Sequence, residues 1–325
     1  MNDRSGSTHT STHAATPMSR TAPAAGDARV TALTALLTLR EVGHDTFAGS
    51  SGGEGLYGGP QRRYGGELLA QALCAAQRTV ARGDAAADAE DARPVHSLHA
   101  YFIRPAHPAR DVVYRVRRVR DGRSFSIRSV EGWQDDALAF VLDASFQRPE
   151  RGFVHDAPAP DVPPPEALPG EQSRYEAARR ADPARFAAWP AGWHAERGPF
   201  EMRTVEDLWG AGVQPPRMHT WVRLRSAVGD PGLQPAIAAY FSDDPVMDNA
   251  LLPHVGRFHD GRLATASLDH AMWFHEPVDL HEWHLFAQDS PVASGARGLT
   301  RGLLFDRSGR LVASVAQEIL MRVRT

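Results

Sequence analysis

The sequence predicts an α+β protein made of two tandem copies of one unit, each a buried helix wrapped by an antiparallel sheet. Three observations carry this. Tyr64-Gly65-Gly66-Glu67, followed by Leu68, Leu69, Ala72, Leu73, Ala76 and Val80, has helical spacing with apolar residues on more than one side, as expected of an enclosed helix. Downstream of it run strand-like segments joined by turn signals. The run 97–105 resembles the run 268–277, with one extra residue in the second copy. At similar distances beyond them, one hairpin ends in Ala144-Ser145-Phe146-Gln147 and another in Ala313-Ser314-Val315-Ala316-Gln317.

Taken in chain order, residues 1–28 are mostly Ser, Thr, Ala, Pro and Gly without period, too poor in apolar groups to offset the entropy of ordering, and are expected to be a tail. The first unit is expected over 29–156. Its helix starts at the Gly65-Gly66 pair, which permits close backbone approach, and stops at Gly83. Strands follow over 95–103, 112–119, 124–130 and 137–146, with Asp121-Gly122 and Asp135-Asp136 as turns. Pro158, Pro160, Pro163, Pro164, Pro165 and Pro169 exclude helix interiors and central strands, so 157–197 reads as a linker. The second unit is expected over 198–325. A helix wrapped by such a sheet is the hot-dog arrangement, and two copies make a double hot-dog.

Composition narrows the chemistry. The 325 residues carry 36 basic and 39 acidic side chains, a formal charge of −3, so no strong field for nucleic acid or an anionic membrane follows. Every basic residue is arginine, which excludes a Walker-type lysine and Schiff-base chemistry. Cys74 is the only cysteine and lies in an apolar helical stretch, so no intrachain disulfide, CxxC redox pair or thiolate zinc cage is available. No run of 18 apolar residues predicts a membrane span, and the N-terminus lacks the apolar core of a secretory signal. A cytoplasmic protein is expected.

The ordered set of Tyr-Gly-Gly-Glu-Leu-Leu-Ala-Gln-Ala-Leu (64–73), Val-His-Ser-Leu-His-Ala-Tyr-Phe-Ile-Arg-Pro (95–105), Arg-Asp-Gly-Arg-Ser-Phe (120–125), Ala-Ser-Phe-Gln (144–147), Ser-Leu-Asp-His-Ala-Met-Trp-Phe-His (267–275), Ala-Arg-Gly (296–298) and Ala-Gln-Glu (316–318) resembles the acyl-CoA thioesterase II family. The resemblance spans most of 35–325. It implies a double hot-dog fold and hydrolysis of acyl-CoA thioesters by a water positioned by three polar residues. These match Asp243 in Tyr240-Phe241-Ser242-Asp243, Ser267 two residues before the Asp-His pair, and Gln317 of the Gln-Glu pair. Three departures stand out: Glu67 replaces a usual Gln, Ile319 a usual Gly, and the Gly-rich loop 49–59 is longer.

The residue types fit that chemistry. Thioester hydrolysis needs an activated water and a donor for the developing oxyanion. Asp243 can accept from the water and take its proton, Ser267 can orient it, and the Gln317 amide can donate. No metal, cofactor or covalent intermediate is called for. Gly65 and Gly66 are candidates for substrate binding through their backbone, and Arg297 for bidentate binding of CoA phosphates. His96, His99, His270 and His275 lack metal-ligand spacing and read as structural. His99 and His270 are taken as equivalent between the copies, which sets His96 against Ser267, and Gln147 is taken as the counterpart of Gln317. Without a first-copy carboxylate, one site per chain is expected. Two other classes stay open, a hot-dog dehydratase or hydratase and a non-catalytic acyl-CoA binding module. Sheet edges in a duplicated fold make a homo-oligomer the expected assembly.

Overall fold

The computed structural model describes residues 27–51, 62–83, 92–187, 198–210, 212–254 and 263–323. Most of the expected tail and most of the loop 49–59 lie outside these. The first element is a helix at the start of the expected first unit, not singled out from sequence, α1 (Ala28–Leu37). Asp27 caps it by accepting from the Arg29 amide, and Val30, Leu33, Leu36 and Leu37 are buried. After the short hairpin β1 (Arg40–Gly43) and β2 (Thr46–Gly49) comes α2 (Gly65–Gly83). Leu69, Ala70, Ala72, Leu73, Ala75 and Ala76 are all fully buried, so more than one side of α2 is enclosed.

The strands β3 (Val95–Phe102), β4 (Val112–Asp121), β5 (Phe125–Gln134) and β6 (Ala137–Gln147) complete the first copy. Asp135 and Asp136 both hold positive φ at the β5–β6 turn, a backbone that Asp tolerates better than most residues. Beyond the proline stretch, the segment read as linker carries a helix, α3 (Glu171–Ala181), docked through Glu171. One Glu171 oxygen accepts from the Thr204 amide and the other from Trp209 Nε1. The proline cluster ends at Pro169, and the next proline, Pro183, comes only after the helix has ended.

The second copy runs through β7 (Phe200–Thr204), β8 (Arg217–Leu224), α4 (Gln234–Ser242), α5 (Pro245–Leu251), β9 (Leu263–Ser267), β10 (Asp269–Phe274), β11 (His284–Ser294), β12 (Arg297–Phe305) and β13 (Leu311–Val323). Its helix is broken where α2 is not. Pro245 has no N–H to donate and its ring clashes with the carbonyl four residues earlier, so α4 ends before it and a second, offset helix starts there.

All strand pairings are antiparallel, in the order β1-β2-β4-β5-β6-β3-β10-β13-β12-β11-β8-β7, with β9 also on β13. The copies therefore share one sheet, joined at β3 and β10, with α2 and α4 packed together. This is the double hot-dog α+β architecture.

The junction fixes which residues are equivalent. His99 lies opposite Ala271, Leu98 opposite Met272 and Ala100 opposite His270. A two-fold through the His99–Ala271 pair exchanges Leu98 with His270 and Tyr101 with Trp273, keeping buried with buried and exposed with exposed. It also carries the Leu98–Ala144 pairing onto the position where His270 meets Gln317, and the Val95–Phe146 pairing onto Ser267–Ile319. The expected equivalences of His99 with His270, His96 with Ser267 and Gln147 with Gln317 are thus corrected. The first-copy counterparts are Leu98, Val95 and Ala144, all apolar and buried.

Candidate active site

Asp243, Ser267 and Gln317 come from three elements and meet in one triangle. Ser267 Oγ donates to Asp243 Oδ1 at 2.8 Å, and Gln317 Nε2 donates to the same oxygen at 3.0 Å and to Ser267 Oγ at 3.0 Å. Asp243 is the C-terminal cap of α4 and is 3% exposed. A carboxylate there opposes the negative end of the helix dipole, so its placement does not serve helix stability. The break at Pro245 holds it there. Gln317 is fully buried on the inner face of β13, opposite Thr300, whose hydroxyl donates to the Gln317 carbonyl at 3.0 Å.

Ser267 reaches this face through an irregularity. Ser267 pairs with Ile319, whereas Ala271 pairs with Ala316, so one residue between them is extra. The Leu268 amide donates to the Glu318 carbonyl, and Asp269 Oδ1 accepts from the Glu318 amide at 2.7 Å. In a regular strand residues three apart face opposite sides; this bulge turns Ser267 and His270 to the same side. The first copy has the matching shift between Val95 and Ser97, but with apolar Val95 and Leu98 in the places of Ser267 and His270.

His270 and Ser242 orient the Gln317 amide, a role the sequence reading had not assigned. Gln317 spends its amide hydrogens on Asp243 and Ser267, so its carbonyl oxygen faces His270 Nδ1, which must carry the ring proton. His270 Nε2 then accepts from Ser242 Oγ at 3.0 Å. Burial pushes His270 below the usual histidine range, outweighing the pull of nearby Asp243, so the ring is neutral at pH 7. The Asp-His pair and the Ser of Tyr-x-Ser-Asp were visible in sequence; their partners lie 28 and 47 residues apart and were not.

The glycines of α2 close the site from the first copy. A Cβ on Gly65 would lie 2.6 Å from Asp243 Oδ2 and 2.9 Å from Phe102 Cε1, and one on Gly66 would lie 2.3 Å from the Tyr240 carbonyl. Only glycine lets the start of α2 come this near the end of α4. Tyr64 Oη donates to the Tyr240 carbonyl at 2.7 Å and pins the contact. The first turn of a helix carries N–H groups without intrahelical acceptors and a partial positive charge, and here it abuts a carboxylate. Next to it Glu67 forms a buried ion pair with Arg63, 2.8 Å long.

Other expectations fall outside this cluster. Arg297 is on the outer face of β12, paired with Glu318 at 2.8 Å, and Arg301 is there with Asp289. Alternate residues of a strand face opposite ways, so with Thr300 and Gln317 turned inward, Arg297 is turned away from the triad. Tyr101 and Trp273 are also outside, while Phe102 faces Gly65. Cys74 is buried, and burial pushes its thiol up to about 12, which leaves it unreactive. His96 and His275 bond Ser145 and Ser314, as structural histidines do.

Comparison with known proteins places this geometry. The family model for acyl-CoA thioesterase matches residues 198–320, and that for the acyl-CoA thioesterase N-terminal domain matches 55–147. Acyl-coenzyme A thioesterase 8 of Mus musculus is 35% identical over 309 residues, covering 92% of this chain and 91% of its own. Acyl-CoA thioesterase 2 of Haemophilus influenzae is 34% identical, covering 88% and 96%. The crystal structure of acyl-CoA thioesterase II TesB2 from Mycobacterium marinum superposes with a TM-score of 0.70 at 32% identity, covering 90% and 99%. The chain belongs to the acyl-CoA thioesterase family and is a thioester hydrolase.

Proposed function

We propose that the enzyme hydrolyses acyl-CoA to a free carboxylic acid and CoA with a water activated at the Asp243–Ser267–Gln317 triangle. The observation that carries this is the shared hydrogen bonding of one carboxylate oxygen, which leaves Asp243 Oδ2 turned toward Gly65 at the start of α2. A water on Oδ2 attacks the thioester carbonyl carbon and passes its proton to Asp243. The first-turn amides of α2 draw on the carbonyl oxygen as it becomes an oxyanion. Collapse of the tetrahedral intermediate breaks the C–S bond, and the leaving CoA thiolate takes the proton back from Asp243. Among the described residues Ser267 has no imidazole partner: its hydroxyl serves Asp243 and Gln317, so it positions rather than attacks.

The test is release of CoA thiol from acyl-CoA, followed with a thiol-reactive dye. Misplacing a reacting group by about 1 Å can cost on the order of 10²-fold in rate, so Gln317→Ala, which frees Asp243 and Ser267, is expected to fall by about that factor and Asp243→Asn by at least as much. Ser267→Thr keeps the hydroxyl and is expected to keep activity. Wild-type turnover in folded Gln317→Ala, or an acyl mass adduct on Ser267, would overturn the reading. Dehydration or hydration of the acyl group with the thioester intact would favour the hot-dog dehydratase instead.

The assembly belongs to the same proposal. Tyr101, 63% exposed, and Trp273 put aromatic surface on the outer face of the two central strands, which supports a homo-oligomer. Sedimentation of the purified protein checks it. Among the described residues no helix is long and apolar enough to cross a membrane.

A further inference from the structure

Ile319 stands on the inner face of β13 two residues beyond Gln317, opposite Ser267 on one side and Gly298 on the other, and is fully buried. The space around it is filled. A Cβ on Gly298 would lie 2.7 Å from Met321 Sδ, 3.1 Å from Ala250 Cβ and 3.6 Å from Ile319 Cγ1, so α5 is pressed onto the strands through Ala250 at this spot. The two sides of the triangle differ. Toward the start of α2, Tyr64 and Phe102 are only half-buried. Toward α5, the side chains that meet above Gly298, those of Ile319 and Ala250, are buried and apolar. A nucleotide-bearing thiol has to stay on the open side, and an acyl chain loses least by entering the apolar one.

We infer that Ile319 is the residue that limits acyl length, so that the enzyme takes short acyl-CoA thioesters. This rests on the thioesterase reading of the triangle. An acyl chain that runs from a carbonyl beside the triangle toward α5 passes Ile319, because Ser267 and Ile319 are direct cross-strand neighbours. Its β-branched side chain is stiff, and it shares the space above Gly298 with Met321 Sδ and Ala250 Cβ. The position is one at which the family resemblance expects glycine, whose lack of a side chain would leave this path open.

The experiment compares kcat/KM for butanoyl-CoA and dodecanoyl-CoA in the full chain and in Ile319→Val, Ile319→Ala, Ile319→Gly and Ile319→Phe. The readout is the ratio of the two, which cancels any loss of folded enzyme because both substrates meet the same active fraction. The unaltered protein is expected to favour butanoyl-CoA. One methylene in a fitted pocket changes discrimination by roughly 10–200-fold, so Ile319→Gly and Ile319→Ala are expected to move the ratio at least about tenfold toward dodecanoyl-CoA. Ile319→Val is expected to move it little and Ile319→Phe the opposite way. A ratio unchanged within about twofold in both the Ala and Gly variants, or a wild-type preference for dodecanoyl-CoA, overturns the assignment while leaving the hydrolase reading intact. Absence of thiol release from either substrate by the wild type overturns both.

Discussion

At the scale of single residues, the asymmetry between the copies is chemical rather than architectural. Both carry the same strand irregularity, yet Ser267, His270 and Gln317 face Val95, Leu98 and Ala144 across the two-fold. Leu98 and Ala144 can neither hold a water nor pass a proton. Gln147, expected from sequence to mirror Gln317, is at the end of β6, where its backbone N–H donates to the Pro94 carbonyl. Gln147→Ala is therefore expected to keep turnover within about twofold while Gln317→Ala loses about 10²-fold, both confirmed folded by circular dichroism. Equal losses would show that the first copy takes part in catalysis. The triangle was legible in sequence because each member sits in a short motif. The repeat equivalences were not, because a bulge changes which residues face inward without marking the sequence, and matching by letters paired a buried histidine with an exposed one. That Arg297 faces away from the triad was hidden for a related reason: its strand parity is visible only once Gln317 is known to face Thr300.

At the scale of elements, α5 is where the protein carries uncompensated polarity. Asp248 on α5 is pushed up to about 7, by burial first and by Glu171 second, and Asp244 is raised by burial and by the neighbouring Asp248 and Asp243. The sign follows from linkage. An unfolded Asp releases its proton near pH 4, while folded Asp248 keeps it to about 7, so the folded state binds the extra proton between those values. Stability from this group is present below about pH 4 and lost as pH rises to about 7. Asp248→Asn is expected to flatten that slope and to raise Tm more at pH 8 than at pH 5. Parallel thermal melts at the two pH values check it, and an equal shift at both would refute it. Asn249 on the same helix and Gln288 on β11 have side-chain amides without hydrogen bonds among the described residues, which adds to the cost of α5 as it stands. Pro245 could be read from sequence as a break; that α5 would press on Gly298 could not, since the contact joins residues distant in the chain.

At the scale of the whole molecule, the site exists only because both copies share one sheet and one helix pair. The carboxylate, hydroxyl and amide come from α4, β9 and β13, but the glycines that face Asp243 come from α2 in the first copy. A second copy pairing with itself would not replace them, because α4 begins with Gln234-Pro235, whose side chains forbid the approach that Gly65 and Gly66 allow. The chain cut within the proline stretch should therefore behave as a complementing pair. Residues 29–156 and 157–325 expressed separately are each expected to lack thioesterase activity, and expressed together to recover it through the β3–β10 junction. Steady-state thiol release from each purified half and from the co-purified pair checks this. Activity in 157–325 alone would mean that the first copy supplies support only, and that the start of α2 has no part in polarising the thioester carbonyl.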